Sequence, residues 1–154
     1  KKILLVKPQT FMNKSGISVL QIAKFFKVPK NLIYVFYDDI DLKPGQIKIK
    51  NGGGHGGHNG LRDIDRHISR EYWRIRIGIG RPNKKALVHN WVLNDFSLEE
   101  RKNWLSVLLQ AIAIEAPILA EQQPEKFLSR VAWRAPSPDQ MQKKNQKSGE
   151  ENGV

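Results

Sequence analysis

The chain has 154 residues, 40% of them hydrophobic and 27% charged, which suits one packed domain and excludes a disordered polymer. It contains no cysteine, so disulfide frameworks, thiolate metal sites and cysteine nucleophiles are excluded, and a reducing, cytoplasmic setting is expected. Twenty-six basic against fifteen acidic side chains give a net charge of +11, with eleven basic and only three acidic residues between 43 and 85, so a polyanionic partner is expected.

Residues 2–7 (Lys-Ile-Leu-Leu-Val-Lys) read as a buried strand stopped by Pro8, an opening consistent with a fold that starts upstream of residue 1. A loop with Phe11, Met12 and Asn13 follows. Ser15 is placed to cap a helix in which Val19, Ile22, Ala23 and Phe26 recur at helical spacing before Pro29. Residues 32–37, nearly all apolar, predict a central strand, and the acidic turn Asp38-Asp39-Ile40-Asp41 leaves its end. The alternation over 47–50 predicts a half-exposed strand with lysines outward. After the glycine-rich run 51–60 come a helix over about 59–69 and an alternating strand over 73–79, and both strands offer cations on one face. From Ser97 the pattern turns helical. Ser97 and Glu100 form a capping-box signature, Trp104, Leu105, Leu108, Leu109 and Ile112 form an apolar stripe, and Pro117 and Pro124 divide the region. The apolar stretches, such as 105–109, fall short of the roughly 18–20 residues of a membrane span, so no membrane partner is expected. The opening residues lack the charged-then-apolar pattern of a secretory leader, so none is expected. Strands interspersed with helices, then helices alone, indicate a single three-layer α/β domain over residues 1–134 with helices on both faces. The polar composition of 135–154 predicts a disordered tail.

The densest chemical signal is Gly52-Gly53-Gly54-His55-Gly56-Gly57-His58-Asn59-Gly60, whose glycines point to positive φ angles or to a ligand approaching the backbone. Residues 52–57 formally satisfy G-x-G-x-x-G. The preceding strand is amphipathic, however, and Glu71 lies before the next strand, which excludes a dinucleotide site; no Gly-Lys-Ser/Thr follows, which excludes an NTPase loop. His55 and His58, three apart in a loop, lack the helical scaffold of a two-histidine metal motif, so no metal is expected. Asp38, just past a buried strand, is either a working carboxylate or a turn aspartate, while Asp39 and Asp41 read as turn formers. Asn13 offers both a donor and an acceptor at the same sheet edge as Asp38 if their strands are parallel. Phe11 either packs beneath its loop or stacks on a base. Trp73, Trp91, Trp104 and Trp133 read as core or rim residues. No Gly-x-Ser-x-Gly elbow is present.

Four segments, residues 7–16, 38–45, 52–61 and 74–82, resemble in order and spacing the bacterial type of peptidyl-tRNA hydrolase, and the resemblance runs from residue 1 to about 132. It implies a mixed twisted sheet and cleavage, without a cofactor, of the ester between a peptide and the 3′ ribose of tRNA, which returns tRNA to translation. The implied partner is peptidyl-tRNA, held by its acceptor stem and 3′ end, and the implied state is a monomer. By position, Phe11 and Asn13 resemble substrate-contacting residues, with Met12 between them in the pocket wall. Asp38 resembles the aspartate that orients the catalytic histidine, and His58 and Asn59 the histidine and asparagine of the glycine loop. Asn59 is implied to touch tRNA and hold the attacking water, with Gly56 and Gly57 beside the tRNA. The helix over 59–69, with Arg62, Arg66 and Arg70, would add cations near the acceptor stem. The match departs at one point: the family's general-base histidine and a second asparagine lie ahead of the matching segment, and residues 1–54 contain no histidine. The expectation is a fragment, or a member without the usual base, poorly active and aggregation-prone for want of a strand. The alternative is a tRNA-binding module that has lost catalysis.

Overall fold

The computed structural model describes residues 2–151. The chain divides into two compact units, one of residues up to Phe36 with Ile49–Ile75, the other of Tyr37–Lys48 with the residues from Arg76 onward. Strands β1 (Tyr34–Asp39), β2 (Ile47–Asn51) and β3 (Trp73–Gly78) contribute residues to both and pair in the order β1-β3-β2. The Trp73 amide donates to the Ile33 carbonyl and the Ile79 amide to the Asp39 carbonyl, a pairing that advances together, so β1 and β3 are parallel. Gly52 donates to Tyr72 and Gly78 to Gln46, which runs the opposite way, so β2 is antiparallel and the sheet is mixed.

In the first unit, helix α2 (Asn59–Ile68) buries Leu61, Ile64 and Ile68, and Tyr72 and Ile75 complete the core. Helix α1 (Ser15–Phe25) packs on it so closely at Gly16 that a Cβ there would collide with the Asp63 carbonyl oxygen. The N-terminus of α1 differs from expectation. Ser15 Oγ donates to the Met12 carbonyl at 2.8 Å, and it is the carboxylate of Asp63, on α2, that accepts the Gly16 amide at 2.8 Å. Residues 2–7 form no strand, and Ile3, Leu4, Leu5 and Val6 are exposed. A β-rich run becomes a strand only where a neighbour takes its backbone hydrogen bonds, and no described strand does so here. For the same reason residues 32–37, expected at the sheet centre, contribute to an edge strand.

The second unit is mainly helical. Ser97 Oγ accepts the Glu100 amide and Glu100 reaches back to the Ser97 amide, the expected capping box, opening α4 (Leu98–Glu100). A π turn (Arg101–Leu105) leads into α5 (Ser106–Glu115) and α6 (Pro117–Ala120); α7 (Pro124–Arg134) starts, as expected, at its proline. A short helix α3 (Val88–Leu93), absent from the sequence reading, precedes them. Trp104, Leu108, Ala111, Leu119, Phe127 and Val131 are buried. Leu98–Ala120 is continuous over 23 residues and is, by length and composition alone, apolar enough to cross a membrane, which its short apolar runs did not suggest. Here it packs against α7, and its buried Glu115 is hydrogen-bonded by Arg130 and Arg134 of that helix. Of the tail expected to be disordered over 135–154, residues 152–154 lie outside the described residues; Ala135 and Ser137 are buried, and α8 (Pro138–Glu151) comes next. Local chemistry explains the order: Ser137 and Gln140 exchange backbone and side-chain hydrogen bonds, and Asp139 pairs with Lys43 and Lys143.

Candidate functional site

The first unit gathers most of the residues singled out in the sequence. Residues 12–14 form a 3-10 turn that packs on the start of α2, so close that a Cβ on Gly60 would lie 2.7 Å from the Met12 sulfur. Glycine at position 60 is therefore what lets Met12 reach α2. Asn13 sits in that turn, Asn59 opens the helix, and Phe11, Met12, Asn13 and Asn59 are all exposed. Asn13 and Asn59 thus belong to two elements in direct contact, α2 and the 3-10 turn.

The glycine loop is scaffolded by its own histidines. His55 Nδ1 accepts the Gly57 amide at 3.0 Å and its carbonyl accepts the His58 amide at 2.9 Å. His58 caps α2, its Nδ1 accepting the amides of Gly60 at 3.1 Å and Leu61 at 3.3 Å. A ring nitrogen that accepts from two amides carries its proton on the other nitrogen, so Nε2 is the donor atom of the His58 ring. The amides of Gly57 and His58 are thus both engaged within the loop. Gly52, Gly53, Gly56 and Gly57 adopt φ of +68°, +103°, +56° and +82°, the left-handed backbone that glycine density foretold. Arg62 and Arg66 are exposed on α2.

Asp38 belongs to the second unit, where it stands in β1 one residue before the strand's end rather than in the turn after it. It lines a cavity of about 340 Å³ together with Ile79, Trp91, Val92, Asn94, Asp95, Phe96, Ser97 and Glu100. Its neighbour Asp39 does more than form a turn. One carboxylate oxygen accepts the Asp41 amide at 2.8 Å and the other accepts Arg76 Nε at 2.7 Å. Burial works against the Arg76 charge, but the hydrogen bond and attraction of Asp39, with help from Tyr37, hold its pKa above the ordinary arginine value. Asp41 pairs with Arg81. No group of three His, Asp or Glu side chains among the described residues is arranged to hold a metal ion.

The cations of the two strands divide. Lys48 and Lys50 are exposed on β2, as their alternation predicted, whereas Arg74 is buried, 1% exposed, and does not join an open cationic face. Its guanidinium is taken up by the Gly52 and Gly53 carbonyls and by Asp65. Two features were missed by reading the sequence: a histidine N-cap, because serine, threonine, aspartate and asparagine are the usual signals, and the Arg74–Asp65 pair, because nothing local connects residues nine apart on different elements.

Comparison with known proteins gives one consistent answer. The family model for peptidyl-tRNA hydrolase matches residues 1–144. A peptidyl-tRNA hydrolase of Rhodospirillum centenum is 49% identical over 138 residues, covering 90% of this chain and 60% of its own length. That of Granulibacter bethesdensis is 48% identical over 133 residues, covering 86% of this chain and 68% of its own. Among solved structures, a peptidyl-tRNA hydrolase from Acinetobacter baumannii superimposes with a TM-score of 0.75 at 36% identity, covering 84% of this chain and 66% of that one. The chain thus spans about 60–68% of the length of these relatives.

Proposed function

The chain belongs to the peptidyl-tRNA hydrolase family, and on that premise we propose that it carries the tRNA-holding face and the orienting aspartate of an esterase that frees tRNA from peptidyl-tRNA. The observation that carries this reading is the packing of the Met12–Lys14 turn on the N-terminus of α2, which couples the turn bearing Asn13 to the helix that Asn59 opens. Exposed Phe11, Met12 and Asn13 then receive the 3′ end, and Gly56 and Gly57 lie beside it. Arg62 and Arg66 meet phosphates of the acceptor stem, contacts that position a tRNA without reading its sequence and so suit an enzyme accepting many tRNAs.

In this mechanism water attacks the ester carbonyl as a histidine base, in the family a residue of a segment ahead of the match, removes its proton. Asp38 orients and charges the base. Asn59 holds the attacking water by its amide, and His58 keeps α2 capped through its Nδ1. Action as a monomer in the cytoplasm completes the reading.

The site is tested by Asn59→Ala. Because Asn59 is exposed at the first turn of α2, the variant melts as the parent does and binds peptidyl-tRNA about tenfold more weakly, the loss of a hydrogen bond or two. Unchanged affinity removes Asn59 from the site.

A further inference from the structure

Arg74 is among the largest fully buried side chains of the chain, and its partners are specific. Nε donates to the Gly52 carbonyl at 2.8 Å, and Nη2 donates to the Gly53 carbonyl and to Asp65 Oδ1, both at 2.9 Å. The guanidinium lies 4.4 Å from the centre of the Tyr72 ring, and the Tyr72 hydroxyl donates to the same Asp65 oxygen at 2.8 Å. Gly52 and Gly53 begin the glycine loop. Asp65 lies on α2, the helix whose first residue, Asn59, ends it. One planar group therefore ties both ends of the loop that presents His58 and Asn59.

The energetics argue for geometry over stability. A buried ion pair recovers its desolvation cost only when all its polar atoms are satisfied, and a well-packed apolar residue often does as well or better. Here Arg74 Nη1 and Asp65 Oδ2 are buried without a hydrogen bond among the described residues, so the pair is an inefficient stabiliser. What it provides is a fork in fixed directions to two carbonyls and a carboxylate, which no lysine reproduces.

We propose that Arg74 is a positioning residue that sets the placement of His58 and Asn59 by clamping the two ends of the glycine loop. The proposal rests on the reading that these two residues hold the end of peptidyl-tRNA.

The test is amide hydrogen exchange by NMR on the full 154-residue chain and its Arg74→Lys variant, with tRNA affinity measured well below the melting temperature. Lysine keeps a charge opposite Asp65 but loses the fork. The expected result is about tenfold faster exchange at Gly57 and His58, whose amides bond to His55, with exchange in α5 and α7 within about twofold of the parent and tRNA binding weakened about tenfold. Unchanged loop exchange overturns the proposal, as does an equal rise throughout the chain, the mark of a merely structural residue. Faster loop exchange with unchanged tRNA affinity overturns it too. Should Arg74→Lys not fold, the doubly neutral Arg74→Gln, Asp65→Asn chain, with no unpaired buried charge, is read by the same criteria. Failure of the parent chain to bind tRNA overturns the functional reading instead, and the exchange rates, which need no tRNA, distinguish the two failures.

Discussion

The Nδ1 atom of His58 accepts the backbone amide of Gly60 at 3.1 Å, which makes this histidine the N-cap of α2 as well as a candidate for chemistry. Its two roles separate by substitution. His58→Ala removes the cap and lowers stability by about 0.5–2 kcal/mol in a denaturant titration, whereas His58→Asn, a good cap, stays within about 0.5 kcal/mol of the parent. If asparagine restores stability but not substrate affinity, the imidazole serves the substrate as well as the cap.

Gly54 differs from the other glycines of its loop. Its φ lies outside the left-handed region and a Cβ would meet nothing within 4 Å, so the fold itself has no need of glycine there. Gly54→Ala is expected to leave stability unchanged or raise it by about 0.4–1 kcal/mol, through a less flexible unfolded chain. It should weaken tRNA binding if the bare backbone is a contact surface. Gly57→Ala, at φ +82°, is the contrast and loses stability.

Exposed Arg62 and Arg66 on α2 are assigned to phosphate, and phosphate contacts have a salt signature. Tightness of tRNA binding falls with salt, and each lost contact to duplex RNA lowers the log–log slope by roughly 0.9 on the scale known for B-form DNA. Arg62→Ala, Arg66→Ala is expected to flatten the slope by up to about 2. Equal slopes for parent and variant remove both residues from the interface.

Glu115 gives the fold an acid-sensitive point. The hydrogen bond from Arg134, with that from Arg130, holds its carboxyl below the ordinary glutamate value of 4.5 despite the opposing effect of burial. A carboxyl with a depressed folded pKa contributes stability that is fully present above its unfolded value and is lost as pH falls through the folded one. Stability measured by denaturant titration should therefore decline below pH 4.5 in the parent, and Glu115→Gln should remove part of that decline.

Features set by local chemistry were legible in the sequence. The Ser97–Glu100 capping box, the proline starts of α6 and α7, the extents of β2 and α2, and the positive φ angles of the glycine loop all arise from residues within a turn of each other. Features set by a distant partner were not. Ile3 to Val6 have the composition of a strand but form none, Ser15 yields the capping of α1 to Asp63, and Arg74 leaves the predicted open face for carbonyls more than twenty residues away. Of the site, the residue types and their order were readable. The scaffolding of the loop by His55 and His58 was not, because imidazole is an uncommon cap.

The most direct measurement is release of free tRNA from purified peptidyl-tRNA by this chain joined to the N-terminal segment of its Rhodospirillum centenum relative, with Asp38→Asn alongside. The joined chain is expected to turn over, and Asp38→Asn to slow it by about 10²-fold or more while tRNA affinity stays within about twofold. Equal turnover with and without the Asp38 carboxylate, or none from the joined chain while it still binds tRNA, would contradict the account.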